Sequence, residues 1–515
     1  MNANGQLDLA DPGLLRSQCL IDGEWIDARS AETLAVCDPS NGATIARVTN
    51  ASQIEAGVAI DAAEAAFATW HHADPSERSR ILRAWGELVE EHREDLASLL
   101  VTEQGKPMNE ARGEIDYARG FIDWFAEEAR RIYGDVIPTA PGRRLFVEKH
   151  PIGVVAAITP WNFPAAMITR KVAAAIAAGC TVVLKPSELT PLTALALGEL
   201  AVRAELPSGV LNIVTGMPEA IGAKLTSDPR VRKLTFTGST KVGKLLAEQC
   251  APTLKRLSLE LGGNAPFLIF EDADIEPAID AVMQSKFRNT GQTCVCANRI
   301  YVHDAIHDEF LKGLCAKVES LRIGSGFDER STQGPLINKA AVEKASRLVE
   351  DALRNGASIA FQHDCSPLKN SGTWFPPTIV TGAHEEMAIA KEEIFGPVAV
   401  LYRFSDDATA IESANGSASG LASYVATRSP ARMLTLASQL EFGMIGINTG
   451  QISDPIAPFG GIKESGYGRE GSKYGIEEYL DLRTVAIAGL PLPTKLGDDQ
   501  DCVSALVNHG TTRRG

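Results

Sequence analysis

Short apolar runs alternate with longer helical patterns along most of the chain, and this alternation restricts the fold more than any other feature. Five of the runs have the length and composition of buried strands, at residues 153–158, 181–184, 211–214, 233–236 and 265–270. Ala-rich segments lie between them, and one of these, residues 165–178, stops at Gly179, a residue suited to a helix C-terminus. Strands that alternate with helices in this way indicate an α/β fold with parallel sheets.

The length of the chain predicts more than one domain. A chain of 515 residues is too long for a single hydrophobic core. The alternating pattern starts again near Asp272, with further strands predicted at residues 299–302 and 398–402. We therefore predict a first βα domain that ends at about Phe270 and a second domain after it.

Composition and charge restrict the compartment and the partners. A net charge of −15 argues against a nucleic-acid or anionic-membrane partner. The first fifteen residues lack the basic and apolar pattern of a secretory signal, and the run Val172 to Leu184 is too short to span a bilayer. Nine cysteines without paired spacing fit a reducing compartment. We therefore predict a cytoplasmic protein.

One cysteine stands where a nucleophile would be expected. In the segment 287–296, Cys294 follows a glycine-containing turn that comes after a helical pattern at residues 275–287. A thiol on such a turn can point into a cleft, although a free cysteine is more often a small buried apolar residue. The pair Cys294 and Cys296 lacks the second ligand pair of a zinc site, so no metal is predicted.

Two strand ends have the features of nucleotide-binding loops. At residues 236–243 a strand is followed by Gly238, Ser239 and a helix start, where backbone N–H groups favour a phosphate. Lys185 and Glu188 follow another strand, where they could bind ribose hydroxyls. On these segments alone, an ordinary βα turn is the favoured interpretation of residues 236–243, and a solvated loop pair explains Lys185 and Glu188 equally well.

Two further motifs suit acid–base and oxyanion chemistry. Glu260 stands between leucines ahead of two glycines, and a carboxylate in apolar surroundings has a raised pKa suited to a general base. Asn162 lies between two prolines that fix the backbone, so its amide could serve as an oxyanion donor. A paired glutamate and a tight-turn asparagine are the structural alternatives.

Taken together and in this order, these motifs resemble those of the NAD(P)-dependent aldehyde dehydrogenase superfamily over nearly the whole chain. Within it, the chain is most similar to succinate-semialdehyde dehydrogenases. Further segments similar to the family are residues 102–107, 168–171, 392–397 and 458–461. The resemblance implies a Rossmann-type cofactor domain at 17–131 and 152–270, an α/β catalytic domain at 271–477, a small β oligomerisation arm at 132–151 and 478–490, and a C-terminal tail at 491–515.

The resemblance assigns catalytic and cofactor roles to residues of this chain. It makes Cys294 the nucleophile, Asn162 an oxyanion donor, Glu260 the base for thioester hydrolysis and Lys171 a proton-relay residue. The residues implied in cofactor binding are Thr159, Pro160, Trp161, Lys185, Pro186, Ser187, Glu188, Gly238, Ser239, Leu261, Glu393 and Phe395. Because the Glu188 carboxylate would repel a 2′-phosphate, NAD is predicted in preference to NADP, with NADP use allowed if Lys185 pairs with the phosphate.

The same resemblance predicts the substrate. Arg170, Arg288 and Ser453 look like the residues that bind the carboxylate of a semialdehyde, since the guanidinium fork matches a carboxylate. The expected substrate is succinate semialdehyde, and glutarate semialdehyde, one methylene longer, is hard to exclude. If the arginines are instead salt-bridge residues, an uncharged aldehyde is the alternative.

Three other readings stay open at this point. The chain could be a binding or structural protein that lost catalysis, or a thiol hydrolase that uses Cys294 without NAD. Oxidation to a Cys294–Cys296 disulfide could switch the enzyme off, or Cys296 could be a mere neighbour. A homodimer or homotetramer is expected, because an exposed strand edge in the arm would seek a partner.

Overall fold

The computed structural model describes residues 7–368 and 371–490. The strands are β1 (Cys19–Ile21), β2 (Glu24–Ile26), β3 (Thr33–Cys37), β4 (Thr44–Thr49), β5 (Asp135–Ile137), β6 (Arg143–Pro151), β7 (Val154–Ile158), β8 (Thr181–Lys185), β9 (Leu211–Ile213), β10 (Val231–Thr237), β11 (Arg256–Glu260), β12 (Ala265–Ile269), β13 (Ala297–His303), β14 (Ser358–Gln362), β15 (Thr378–Thr381), β16 (Val398–Phe404), β17 (Ser419–Gly420), β18 (Ala422–Ala426), β19 (Met444–Ile447), β20 (Ile462–Lys463), β21 (Gly466–Tyr467) and β22 (Leu480–Ala488).

The α-helices are α1 (Gln53–Trp70), α2 (Pro75–Glu91), α3 (Arg93–Gln104), α4 (Met108–Glu128), α5 (Ala166–Ala178), α6 (Leu192–Arg203), α7 (Pro218–Ser227), α8 (Thr240–Cys250), α9 (Ile275–Lys286), α10 (His307–Glu319), α11 (Lys339–Arg354), α12 (Ala388–Lys391), α13 (Asp407–Asn415), α14 (Pro430–Gln439) and α15 (Ser472–Glu477). Short 3-10 turns lie at Pro12–Leu14, Ala129–Arg131, Ala251–Thr253, Arg288–Gly291 and Ser366–Leu368. No helix in the described part of the chain is long and apolar enough to cross a membrane.

The first large sheet is doubly wound. Its strand order is β2-β1-β9-β8-β7-β10-β11-β21, and β9, β8, β7, β10 and β11 run parallel. The chain moves outward from β7 through β8 to β9, then returns to the other side of β7 with β10 and β11. The direction therefore reverses between β7 and β10, and the crevice at the carboxyl ends of such neighbouring strands is where doubly wound folds bind ligands.

The second large sheet has the order β14-β15-β16-β13-β12-β18-β19 and is parallel except at β14. Separate apolar clusters cover it, one built around Phe270 and Tyr402 and the other around Phe267 and Ile300. The sequence predicts that the first domain extends to about residue 270, but the strand that ends at Ile269 pairs in the second large sheet. Strand β12 belongs to the second sheet, because the chain leaves the first sheet at the turn Leu261–Asn264, directly after β11.

A separate small unit consists of residues 132–150 and the described residues from Leu480 onward. Its three antiparallel strands have the order β22-β6-β5. These strands fall in the ranges predicted for the oligomerisation arm, and their role between subunits stays a prediction. The predicted tail at 491–515 lies outside the described residues.

Candidate active site

A strained turn presents Cys294. Helix α9 ends at Lys286, and the following turn holds Asn289 (φ 52°), Thr290 (φ 55°) and Gly291 (φ 73°) in the left-handed region. Non-glycine residues avoid this region, so surrounding contacts must hold the turn in place. The backbone N–H of Asn289 donates to Glu110 Oε2 at 2.8 Å, and the N–H of Gly334 donates to Thr290 Oγ1 at 3.0 Å.

Cys294 lies where two cavities meet. The larger cavity, about 350 Å³, is lined by the predicted residues Pro160, Trp161, Asn162, Gly238, Ser239, Leu261, Cys294, Glu393 and Phe395. The smaller cavity is lined by the predicted Arg170, Arg288, Cys294 and Ser453. Eight predicted residues line neither cavity: Thr159, Lys171, Lys185, Pro186, Ser187, Glu188, Glu260 and Cys296. Cys294 is thus the one predicted residue that lines both cavities.

The electrostatics at Cys294 keep the thiol protonated. Burial raises its pKa to about 12, and the carboxylate of Glu393 acts in the same direction. The guanidinium groups of Arg170 and Arg288 oppose this shift but do not reverse it. Since the thiolate is the nucleophile, attack requires a group that takes the proton as the bond to carbon forms.

Asn162 follows β7, and both its side chain and its backbone carbonyl form hydrogen bonds. Its side-chain Nδ2 donates to the carbonyl of Gln292 at 3.1 Å, two residues before Cys294. Its own carbonyl accepts from Lys106 Nζ at 3.0 Å and from Asn289 Nδ2 at 2.9 Å. The amide carries two N–H groups, and one of them is used in these contacts, so the second can serve a developing oxyanion.

Glu260 is the last residue of β11, and its carboxyl group is buried. Burial raises its pKa well above the ordinary 4.5, and the nearby carboxylate of Glu470 raises it further. Among the described residues its buried Oε2 has no hydrogen-bond partner. Lys171 acts on Glu260 through its charge. It forms an ion pair with Glu470, and its charge partly offsets the effect of that carboxylate.

The larger cavity fits a dinucleotide. It opens at the switch point between β7 and β10, and helix α8 begins there with Ser239 as its N-cap. Thr237 lines the cavity with a buried Oγ1 that has no partner. A side chain on Gly262 would come within 3.1 Å of Glu393 Oε2, so the glycine keeps the space open. A helix N-terminus with free donors suits a pyrophosphate.

Glu393 and two aromatic rings form the opposite wall of the larger cavity. Glu393 accepts from the backbone N–H of Gly263 at 3.2 Å, and burial raises its pKa to about 7. The rings of Phe395 and Trp161 meet edge to face at 5.5 Å. Lys344 on α11 lines the same cavity, and its positive charge acts on Glu393.

The two predicted substrate arginines differ in their surroundings. Arg170 is buried: its Nη1 lies 3.3 Å from Glu470 Oε2, and its Nη2 donates to the Tyr117 hydroxyl at 2.6 Å. Arg288 is half-buried, and its guanidinium lies 5.4 Å from the ring centroid of Phe163. Among the described residues Arg288 has no ion-pair or hydrogen-bond partner for its side chain, so its charge is available to a ligand.

Cys296 lines neither of the two cavities that meet at Cys294. Its sulfur donates to the carbonyl of Lys286 at 3.4 Å, and only 1% of the residue is exposed. Burial also raises the pKa of this thiol. A disulfide with Cys294 would require Cys296 to leave this contact, and the redox switch stays a prediction.

Comparison with known proteins identifies the family. The sequence profile described as the aldehyde dehydrogenase family matches residues 25–485. The chain belongs to the aldehyde dehydrogenase family. The predicted family, enzyme class and α/β fold are therefore confirmed.

Relatives of this aldehyde dehydrogenase cover nearly its full length. A succinate-semialdehyde dehydrogenase of Escherichia coli strain K12, whose name specifies NADP(+), is 52% identical over 482 residues, or 93% of this chain and 100% of the relative. A glutarate-semialdehyde dehydrogenase of Pseudomonas putida is also 52% identical, over 94% of this chain and 100% of the relative. A crystal structure of an NADP-dependent enzyme of E. coli matches with a TM-score of 0.92 and 52% identity, over 93% of this chain and 100% of that one.

The predicted preference for NAD over NADP is wrong. The E. coli relative carries NADP(+) in its name, and the matching crystal structure is of an NADP-dependent enzyme. The prediction treated Glu188 as a free carboxylate that repels a 2′-phosphate. In the structure Lys185 Nζ lies 2.9 Å from Glu188 Oε2, so a cation already balances that charge.

Sequence reasoning missed several residues of the site. Glu470, Lys344 and Tyr117 were not predicted, although each contacts or lines the region around Cys294. Lys344 and Tyr117 stand within ordinary amphipathic helix patterns and carried no local signal. Glu470 follows Gly468 and Arg469 in a glycine-rich segment, which could have marked it as part of a functional loop.

Proposed function

We propose that this aldehyde dehydrogenase oxidises an aldehyde that carries a terminal carboxylate, with succinate semialdehyde as the first candidate. The observation that carries the proposal is Arg288, an unpaired guanidinium in the small cavity beside Cys294. Ser453 lines the same cavity and adds a hydroxyl donor. A carboxylate is the ligand that a half-buried, unpaired guanidinium fits best.

The first chemical step belongs to Cys294. Its sulfur attacks the aldehyde carbon and forms a thiohemiacetal, while the thiol proton passes to a base. Solvent water can accept this proton, and Glu260 in its ionised form serves the later hydrolysis. The free N–H of Asn162 and the backbone N–H of Cys294 stabilise the oxyanion.

In the second half of the reaction a hydride is transferred and the thioester on Cys294 is hydrolysed. A nicotinamide cofactor held in the larger cavity would supply the acceptor for the hydride that leaves the thiohemiacetal carbon. Glu260 takes a proton from the water that attacks the Cys294 thioester and returns it to the departing sulfur, so the carboxylic acid is released and both the thiol and the ionised Glu260 are restored. Glu470 and Lys171 form an ion pair beside this base. The charge of Glu470 raises the pKa of Glu260, and the charge of Lys171 lowers it.

We infer that NADP(+) is the cofactor. The names of the E. coli relative and of the matching crystal structure support this assignment. Lys185 and Glu188 lie at the carboxyl end of β8, next to the switch point, where an adenosine ribose would bind. Ser239 and the start of α8 would hold the pyrophosphate, and Glu393 the nicotinamide ribose.

Glutarate semialdehyde is the second candidate substrate. The P. putida relative is named for it and is as similar to this chain as the E. coli relative. One additional methylene changes binding by only about 1–3 kcal/mol, so one carboxylate site can accept both lengths.

The test compares substrates with and without a carboxylate. NADPH formation is followed for succinate semialdehyde, glutarate semialdehyde and butanal, with wild type, Arg288→Ala and the surface control Arg330→Ala. Loss of charge-assisted hydrogen bonds should lower kcat/KM of Arg288→Ala for the two semialdehydes by about 10- to 100-fold. Equal use of butanal and the semialdehydes by all three proteins would contradict the proposal.

The proposed assembly is a homo-oligomer joined through the small unit. Its three-stranded sheet exposes the apolar side chains of Val136 (69%) and Leu482 (70%). Strand edges and apolar side chains of this kind are usually covered by a partner. A homodimer or homotetramer in the cytoplasm remains the prediction.

A further inference from the structure

Tyr117 on α4 lines the small cavity together with Cys294, Arg170 and Arg288. The side chain is half-buried, and its oxygen accepts a hydrogen bond from Arg170 Nη2 at 2.6 Å. A phenol can donate and accept at once. Within the described part of the chain its own hydrogen has no acceptor.

Arg170 is held on several sides and is less free than Arg288. Its Nη1 faces Glu470, and its guanidinium lies 4.8 Å from the ring centroid of Phe121 and 4.5 Å from that of Phe459. Two of its nitrogens are therefore committed to Glu470 and Tyr117. The Nε is buried without a partner. Much of the positive charge of Arg170 thus balances Glu470 before any substrate enters.

We propose that Tyr117 is a substrate-binding residue that donates its phenol hydrogen to the anionic end of the aldehyde, with Arg170 behind it as a positioning residue. This inference rests on the proposed function, since it names a further residue for the same carboxylate. The hydrogen bond from Arg170 polarises the O–H group and makes it a stronger donor. The same bond fixes the direction in which the hydroxyl can point.

This arrangement selects for an anionic end in two ways. A carboxylate accepts the Tyr117 hydrogen and pairs with Arg288, so the donors from both of these residues are used. An alkyl end leaves the phenol hydrogen without an acceptor once water is expelled, which penalises an uncharged substrate. Tyr117 and Arg288 therefore act on the same substrate atoms from two elements, α4 and the turn before Cys294.

The variant Tyr117→Phe removes the hydroxyl and keeps the ring. We expect KM for succinate semialdehyde to rise by about 10-fold, the size expected for one hydrogen bond to a charged group, with little change in kcat. The inhibition constant of succinate against the aldehyde should rise by the same factor. For butanal, kcat/KM should not fall and should rise toward the values for the semialdehydes, because the phenol hydrogen that lacked an acceptor is gone. Tyr474→Phe, at a tyrosine that is 48% exposed, is the matched control and should behave as wild type.

Other outcomes separate this inference from the proposed function. If Arg288→Ala loses the preference for semialdehydes and Tyr117→Phe keeps it, the function stands and Tyr117 is not a substrate ligand. If Tyr117→Phe lowers kcat equally for butanal and semialdehydes and moves the pH profile, the hydroxyl only orients Arg170 and Glu470, which overturns the inference. If wild type shows no preference for semialdehydes, both proposals fall.

Discussion

At the scale of single residues, the active site depends on how buried charges are balanced. Glu260 and Glu470 are two buried carboxylates, and Arg170 and Lys171 are the cations beside them. Both cations pair directly with Glu470. Burial, followed by the charge of Glu470, raises the pKa of Glu260, and one of its oxygens has no hydrogen-bond partner among the described residues. A general base with a raised pKa is well matched to reaction near neutral pH.

The first prediction concerns the pH dependence of turnover. Glu260 acts as a base only when ionised, and its pKa is raised, so turnover should increase as pH rises through that raised pKa. Glu470→Gln removes a negative charge and frees Lys171, and both changes favour ionised Glu260. The ascending limb of kcat should therefore move to lower pH.

The pH profile of kcat, measured beside the exposed control Glu464→Gln, checks this prediction. The control should keep the wild-type limb. An ascending limb that stays in place in Glu470→Gln, or moves to higher pH, would show that Glu470 does not set the pKa of the catalytic base.

The site residues show what single-residue signals can and cannot reveal. Cys294, Asn162 and Glu260 stand in short motifs with proline or glycine neighbours, so they could be named from the sequence. Tyr117 and Glu470 could not, because they reach the site through contacts with Arg170, 53 and 300 residues away along the chain. The prediction of NAD treated Glu188 as an unpaired carboxylate. The sequence alone does not show the ion pair that Glu188 forms with Lys185.

At the scale of elements, the turn before Cys294 is the critical piece of backbone. Asn289, Thr290 and Gly291 all adopt left-handed conformations, and an added side chain on Gly291 would meet the Gly396 carbonyl oxygen at 2.2 Å. The turn therefore packs directly against the segment that carries Glu393 and Phe395. Glu110 on α4 and the backbone N–H of Gly334 hold the strained turn through hydrogen bonds.

The second prediction follows from this close contact. Gly291→Ala should lower the free energy of unfolding by about 2 kcal/mol or more, through the positive φ and the clash with Gly396. Gly113→Ala is the matched control, since it lies in α4 and an added side chain there meets nothing within 4 Å. That control should stabilise the protein by about 0.5–1 kcal/mol. Thermal unfolding of both variants measures this difference in stability. Equal melting temperatures would contradict the claim that Gly291 is required by the strained turn.

The elements themselves were largely predictable. The apolar runs became β7, β8, β9, β10 and β12 within a few residues, because buried parallel strands carry continuous apolar stretches. Sheet membership was harder. Strand β12 follows β11 after only four residues, yet it pairs in the other sheet with β13 and β18, which lie later in the chain. Long-range pairing of this kind leaves no local mark in the sequence.

At the scale of the whole molecule, the proposed assembly is open to test. Leu482 and Val136 are exposed apolar residues on the strands of the small unit, although the chain carries a net charge of −15. Exposed apolar side chains grouped on one small sheet are unusual on a protein surface, and a second copy of the chain would cover them.

The third prediction is therefore that Leu482→Glu with Val136→Glu lowers the oligomer size. Light scattering after size-exclusion chromatography should show a smaller species than wild type. The double substitution Leu434→Glu with Ile456→Glu, at exposed apolar positions outside the small unit, is the control and should keep the wild-type mass. An unchanged mass for the arm variant would contradict the proposed assembly.

The most direct test of the account is a single-turnover measurement with Glu260→Gln, NADP(+) and succinate semialdehyde. Without the base that activates water, one equivalent of NADPH per subunit should form and the reaction should then stop. Mass spectrometry should find a succinyl thioester on the peptide that contains Cys294. Continued turnover, or NADPH formation without an adduct on Cys294, would contradict covalent catalysis by Cys294 with Glu260 as the hydrolytic base.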